Sequence, residues 1–560
     1  MLQPKSPPYD IREWRAQPFP VRIRMICEAW ATQGYGTPPL IYTVYLLKIA
    51  LLYVGGWCFF CSFTPGLGAP GAIASWAFTA TAFQKAVLWT MAYEGLGLGC
   101  GSGPLTGRYV PPIGGVLYYL RPGTTKLPFL PGLPILGGHR RTRLDVALYL
   151  VHYAFLLRAL TAPAITPSLV LPTIVLLPIV SLADKSIYLI SRAEHHFTAL
   201  VCFAFADHWL AGAKVVWIAI WWWAATSKLN HHFPSVIGVM LSNSPMVPVA
   251  LRKKLYRHFP DDLRPGRVCE WMAHGGTAVE YLFPLVLLVS DGGAPTAIAL
   301  VVMLGFHAFI SSNIPMGVPL EWNVIMVYGG FFLFGHHPEV SVLTLGSAPL
   351  LTAFLFVVLF AVPLIGNLVP SRVSFLSAMR YYAGNWGYSV WLFRGESARK
   401  LDRLVKTSPL LTDQLAKLIP DPDVIDAVMS RVPAFRSMHL HGRALHDLIP
   451  KAVDDIDRYQ WLDGEIVAGL ALGWNFGDLH LHDGRLLRAI QEQCRFEDGE
   501  LRCIFVESQP LFGSSLAWTV ADAARGVLAT GETRVSVLRD RLPWPTGEAA
   551  AAFAASRPAA

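Results

Sequence analysis

The chain has 560 residues, of which 53% are hydrophobic and only 15% charged, with a mean hydropathy of +0.42 and a formal net charge of +8. So apolar a composition excludes an ordinary soluble enzyme and points to a polytopic membrane protein. The Lys and Arg residues gather at the ends of apolar runs, which fits anionic lipid headgroups and argues against nucleic acid as a partner.

Residues 1–39 carry Arg12, Arg15, Arg22 and Arg24 with Trp14 and Trp30, and have no hydrophobic signal core. They read as an N-terminal interfacial segment on the cytoplasmic side. Apolar runs follow near 40–62, 73–93, 145–163, 166–183, 208–227, 272–290, 296–312, 322–335 and 349–369, with 197–206 as a half-helix or interfacial piece. Cys58 and Cys61 form a CxxC inside the first run, where packing is the simpler reading. Residues 94–142 are crowded with Gly and Pro and carry Tyr109, Tyr118 and Tyr119, which predicts a packed loop covering the membrane helices. Arg140, Arg141 and Arg143, and later Arg252, Lys253, Lys254, Arg257, Arg264 and Arg267, both favour the cytoplasmic face.

The stretch from Glu194 to His232 is membrane-grade yet holds His195, His196, Asp207, His208, Lys214, Lys228, Asn230 and His231. Ionisable groups are costly in hydrocarbon, so such a stretch predicts a buried site. Lys228 closes the tryptophan-rich run; there it either snorkels to the headgroups or, partly desolvated, serves as a proton acceptor. The adjacent pairs His195–His196, His231–His232 and His336–His337 lack the helical spacing at which imidazoles converge on a metal, and no metal is expected. Downstream, His274, Gly275 and Gly276 open an apolar helix containing Glu280, and Phe306 and His307 precede Ser311, Ser312 and Asn313. A glutamate within a membrane helix faces other helices, either as part of a site or in an interhelical hydrogen bond.

After Pro370 charge density rises and long apolar runs stop. Residues 397–405, 410–419 and 424–432 read as short amphipathic helices, and the alternating stretches 479–482, 501–507 and 533–538 as a small sheet. His439–His441 and His480–His482 would project paired imidazoles from one strand face. Asp498–Gly499 signals a hairpin that sets Cys494 opposite Cys503, as a disulfide or as a reduced buried pair. The alanine-rich residues 547–560 read as a disordered tail. The whole is expected to be an all-α polytopic bundle of about 8–10 membrane helices over 40–370, followed by a small soluble α+β domain over 371–546.

These positions in this order resemble the vitamin K-dependent gamma-carboxylase-like superfamily, with the bacterial horizontally transferred transmembrane (HTTM) proteins. Ser227–Lys228–Leu229 ahead of Gly238 is similar to the family's catalytic lysine segment, and His196 to a functional histidine. His274–Gly275–Gly276 and Phe306–His307 resemble its His-Gly-Gly and Phe-His elements, and Asn385, Trp386, Gly387, Tyr388, Ser389 and Trp391 its Asn-Trp and Gly-Tyr-Ser-Trp segment. The resemblance covers about 180–395 and departs at Asn230, His231, His232 and Phe233, where acidic and Trp residues are expected. Over its full length the chain also resembles a bacterial family of large transmembrane proteins described only as a domain of unknown function (DUF3556-like).

The carboxylase resemblance implies a reduced quinone as cofactor and a lysine base acting on a lipid-soluble quinol or related lipid that arrives from the bilayer of a bacterial plasma membrane. Lys228 is then the general base, with His196, His274 and His307 orienting the substrate or stabilising an oxyanion. Glu280, His231, His232 and Asn313 are their supporting neighbours. The alternative is a non-catalytic lipid-binding or lipid-transporting protein in which Lys228 holds a phosphate and the C-terminal domain meets a protein partner.

Overall fold

The computed structural model describes residues 4–100, 114–313 and 320–545. Tyr109 and the tail 547–560 lie outside the described residues. Among those described, five helices are long and apolar enough to cross a membrane: Pro39–Cys61, Arg143–Thr161, Arg267–Val289, Gly293–Ser311 and Pro349–Leu368. Two shorter apolar helices, Pro167–Ala183 and Phe233–Asn243, accompany them.

Five is fewer than the expected eight to ten, and two of the other apolar runs are enclosed by protein. The run near 73–93 splits into Ile73–Trp76 and Ala80–Gly95, and every residue from Ala82 to Gly95 is buried by protein. Trp209–Ser227 is long enough to span, but its side chains from Ala211 onward are mostly enclosed by other helices. Hydrophobic periodicity cannot tell a lipid-facing helix from one wrapped in protein. The outward helices do differ: Leu282, Val289, Ile298 and Val301 are broadly exposed along 267–289 and 293–311.

One arginine in each of two basic clusters proves to be structural. Arg141 is buried, pairs with Asp184, and donates to the Tyr118 carbonyl (2.9 Å) and Thr124 Oγ1 (2.6 Å). Next to it, Lys126 pairs with Asp145 at 2.6 Å, and Thr142 caps the 143–161 helix through a reciprocal bond with Asp145. Arg252 spends its guanidinium on the carbonyls of Val247, Thr32 and Ser244. The cluster neighbours Arg140, Arg143, Lys253, Lys254, Arg257 and Arg267 stay exposed. Trp30, expected at the interface, is fully buried, its indole N–H donating to the Val239 carbonyl at 3.1 Å.

A short hairpin of β1 (Tyr256–His258) and β2 (Asp262–Pro265) precedes the 267–289 helix. The C-terminal region holds an antiparallel sheet of β3 (Tyr388–Arg394), β4 (Tyr459–Asp463), β5 (Leu501–Val506), β6 (Ser515–Asp522) and β7 (Gly526–Arg534) in the order β4-β3-β5-β6-β7. β3 is buried on both faces because the helices Leu440–Ala452 and Gly464–Leu472 pack beside it. A strand buried on both faces loses its alternation, which is why residues 388–394 do not announce themselves in sequence. The short helices at Leu411–Ala416 and Pro422–Met429 match expectation.

Other expectations fail here. Residues 479–482 and 535–540 are helical turns, and His439 and His441 begin a helix, so neither His pair lies on a strand. Each ring spends a nitrogen on the fold: His441 Nε2–H meets the Glu507 carbonyl at 3.2 Å and His482 Nδ1 the Ser389 hydroxyl at 2.8 Å. Cys494 closes the helix Gly484–Cys494 and is a free thiol, as is Cys503 on β5, so no hairpin joins them.

These enclosed imidazoles predict a pH dependence. Burial holds His439 and His446 down at about 3 and His482 at about 4, and pushes His441 well below the ordinary range. An unfolded chain takes up protons at histidine below about 6.5, before the folded chain can, so stability falls as pH drops from there toward 4. Glu465 works the other way. Burial pushes it up to about 7, so the folded chain keeps a proton that the unfolded one loses, and stability from this group falls as pH rises from about 4.5 to 7. Four histidines outweigh one partly exposed carboxyl: the melting temperature should fall on acidification from pH 7 to 5, and more steeply in Glu465→Gln. A melting temperature constant over this range would contradict the assignment.

Candidate functional site

The run of tryptophans in 209–227 is what anchors the site. Trp217 donates its indole N–H to the Met326 carbonyl (3.2 Å), Trp221 to His307 Nε2 (3.0 Å) and Trp223 to the Leu359 carbonyl (2.7 Å). Three large side chains thereby tie one helix to three others, each with its polar edge satisfied. Trp222 points outward and meets Tyr281 edge-on, while the Tyr281 hydroxyl donates to Thr226 at 2.8 Å.

At the end of this helix the chain turns through Lys228, and Pro234 starts the next helix with its φ already set. The Lys228 side chain is buried, so it does not snorkel. It folds inward to an ion pair with Glu280 and lies over the rings of Phe233 (5.0 Å) and Phe306 (5.4 Å). A charge pair this enclosed keeps its place through mutual compensation, and the aromatic faces favour the ammonium further.

The pair lies on the wall of a cavity of about 510 Å³. This size falls inside the range of small-molecule sites. Ile220, Trp221, Val236, Met240, Met272 and Met326 make an apolar lining, and Arg192, His195, His307, Asn313 and Asn323 add polar groups. Gly275 and Phe309 also line it and are exposed, which locates a mouth between the 267–289 and 293–311 helices. A Cβ on Gly275 would meet no atom within 4 Å, so glycine there leaves open space.

His307 has no lone pair to spare. Its Nε2 accepts from Trp221, which puts the proton on Nδ1, and Nδ1–H donates to Asn323 Oδ1 at 2.8 Å. It is a neutral positioning group. Asn313 differs: its Nδ2 donates to the Phe309 carbonyl at 2.9 Å, and among the described residues its buried Oδ1 meets no donor. An unsatisfied acceptor on a cavity wall asks for a hydroxyl or N–H from a ligand.

On the opposite side, Arg192 begins a wide helical turn, Ala193–Phe197, from the left-handed region at φ 48°. A non-glycine residue there is uncommon and tends to mark a functional constraint. Its Nε donates to Glu194 Oε1 at 2.7 Å, its guanidinium lies on the Trp322 ring, and the Tyr381 hydroxyl donates to the same Glu194 oxygen at 3.1 Å. His195 lines the cavity, and its Nε2 has no partner among the described residues.

The structure therefore brings Lys228, Glu280, His307 and Asn313 to one cavity and leaves the other expected residues outside it. His196 is fully buried behind His195, its ring stacked at 4.2 Å. His274 and His231 are exposed. His232 bonds to Gln509 Oε1 at 2.8 Å, and Gln509 is in turn held by Asn385, so this residue ties the membrane helices to the C-terminal region. The reason is helical phase: His196 and His274 each sit one residue from a cavity-facing position. Arg192 and Asn323 were not singled out, His195 stood out only as half of a histidine pair, and Trp221 only as part of the tryptophan run. Arg192 lies two residues ahead of the stretch dense in ionisable groups, and that proximity was its only sequence signal.

One family model, described as a transmembrane protein of unknown function (DUF3556), matches residues 1–553. The chain belongs to this family. No curated protein and no solved structure matches it. Family membership and the five apolar helices make this DUF3556 chain an integral membrane protein. They give no support to the carboxylase-like likeness, and the family description carries no activity.

Proposed function

We propose that this protein binds a lipid-soluble quinol or related amphipathic lipid in the cavity beside Lys228. The observation that carries the reading is an apolar chamber of about 510 Å³ with a buried Lys228–Glu280 pair on its wall and an Asn313 oxygen that meets no donor among the described residues. The ligand's apolar body is taken up by the tryptophan, phenylalanine and methionine side chains, and its hydroxyl head is met by Asn313 and the ion pair. Access is lateral, from the bilayer, through the mouth at Gly275.

A catalytic version of the same reading follows from the contact of Lys228 with Glu280. Transfer of the ammonium proton to the carboxylate leaves a neutral amine facing the ligand, which can then remove the proton of a quinol hydroxyl. His307 takes no proton in this scheme, since both its nitrogens are engaged. Oxygen uptake with a reduced quinol separates the two versions: turnover lost in Lys228→Arg and Lys228→Ala alike indicates the base, and absence of turnover in the native protein indicates binding alone.

Binding is measurable by quenching of tryptophan fluorescence, because Trp221 and Trp322 line the chamber. In detergent-solubilised protein a short-chain quinone should quench saturably, and Gly275→Phe, which grows into open space at the mouth, should weaken this at least tenfold while leaving the melting temperature unchanged. Quenching that ignores Gly275→Phe would remove the proposed route.

A further inference from the structure

Away from the Lys228 chamber, a second group of chemistry-bearing residues converges. Glu94 at the end of the 80–95 helix, Cys100 six residues later, and Glu321 at the start of the helix Leu320–Gly330 have one ligand atom each within 4.8 Å of the others, and all three are buried. The loop after Glu94 is shaped around its carboxylate. The Cys100 amide donates to Glu94 Oε2 at 2.9 Å and Trp474 Nε1 to Oε1 at 3.3 Å, and a Cβ on Gly99 would fall 1.7 Å from Oε2, so any other residue there would displace the carboxylate.

Two observations point to something that these groups hold. Both Glu321 oxygens are buried with no hydrogen-bond partner among the described residues, in a side chain 1% exposed. The Tyr93 hydroxyl, fully buried and equally without a partner among the described residues, lies within electrostatic reach of Glu94, Cys100 and Glu321. Orphan oxygens converging from separate elements are costly unless something satisfies them.

We propose that Glu94, Cys100 and Glu321 form a binding site for a divalent cation of the zinc class. Two carboxylates and a thiolate are a borderline-soft donor set suited to zinc. Tetrahedral zinc with Zn–O of about 2.0 Å and Zn–S of about 2.3 Å separates its donors by roughly 3.3–3.6 Å, so rotamer adjustment closes the present spacing. Three protein ligands among the described residues leave the fourth position to water. The ligands sum to a charge of −3 and the cation leaves −1, beside Lys48 and Arg192, whose fields reach Cys100. None of the paired histidines takes part.

The test uses the full-length protein in detergent, purified without chelator, with metal content per chain measured and zinc affinity determined by competition with a chromophoric chelator. About one tightly held equivalent is expected, and cobalt(II) in its place should give a near-ultraviolet thiolate-to-cobalt charge-transfer band. Cys100→Ser should remove the band and weaken affinity at least a hundredfold, while Cys58→Ser with Cys61→Ser, the CxxC thiols outside the site, should change neither. Native protein that binds no zinc and gives no band overturns the site, with no variant needed; a band that survives Cys100→Ser overturns it as well.

Discussion

Replacing Lys228 by alanine is expected to abolish saturable quinone quenching and to cost about 3–5 kcal/mol of stability, the usual range when one partner of a buried ion pair is removed. Both effects have one cause. Glu280 is enclosed and its carboxylate is compensated by Lys228, so alanine leaves an unpaired charge and an enlarged chamber at once. The two effects can be pulled apart by the double variant Lys228→Met with Glu280→Leu, which replaces the pair by apolar groups of similar length. Stability should return to within about 1–2 kcal/mol of the native value, while binding stays lost because the head group has no partner. If the double variant binds quinone as the native chain does, the ion pair is not the head-group site and the proposed function fails.

The second large effect is expected at Arg436. Its Nε and Nη2 meet the two oxygens of Asp463 at 2.5 and 3.0 Å, Nη2 also meets Glu465 at 2.9 Å, and its guanidinium lies 4.0 Å from the centre of the Tyr388 ring. The contact joins the helix Arg431–Ser437 to β3 and β4, and Asp463 in turn caps the helix Gly464–Leu472 through the Glu465 amide at 2.9 Å. Arg436→Leu strands a buried carboxylate and a half-buried one on the same turn and should cost about 3–5 kcal/mol. Limited proteolysis should then cleave the region 431–472 first. Arg436→Leu with Asp463→Asn should recover part of the loss and not all of it, since Glu465 stays uncompensated; no cleavage difference between Arg436→Leu and the native chain would refute the role given to this residue.

How far these sites could be read in sequence depended on what each residue signals locally. Lys228 and Glu280 stood out because ionisable groups in apolar runs are rare. Asn313 was visible as the end of a polar turn. His196 and His274 looked as good by the same test, yet one is packed behind its neighbour and the other is exposed. Cys100 and Glu321 gave no signal at all, being far apart in the chain and each unremarkable in its own segment.

The sequence by itself determined that this is a membrane protein and where its apolar helices run, because transfer of side chains from water depends on composition along the chain. It also showed that charge is held inside the apolar region. Only the tertiary structure decided which helices face outward, which charges meet, and which histidines reach the cavity. Those outcomes depend on helix rotation and on pairings across hundreds of residues, such as Lys228 with Glu280 and His232 with Gln509. A shift of one position turns an α-helical side chain by about 100°, so in the 267–289 helix Gly275 lines the cavity while His274 beside it does not.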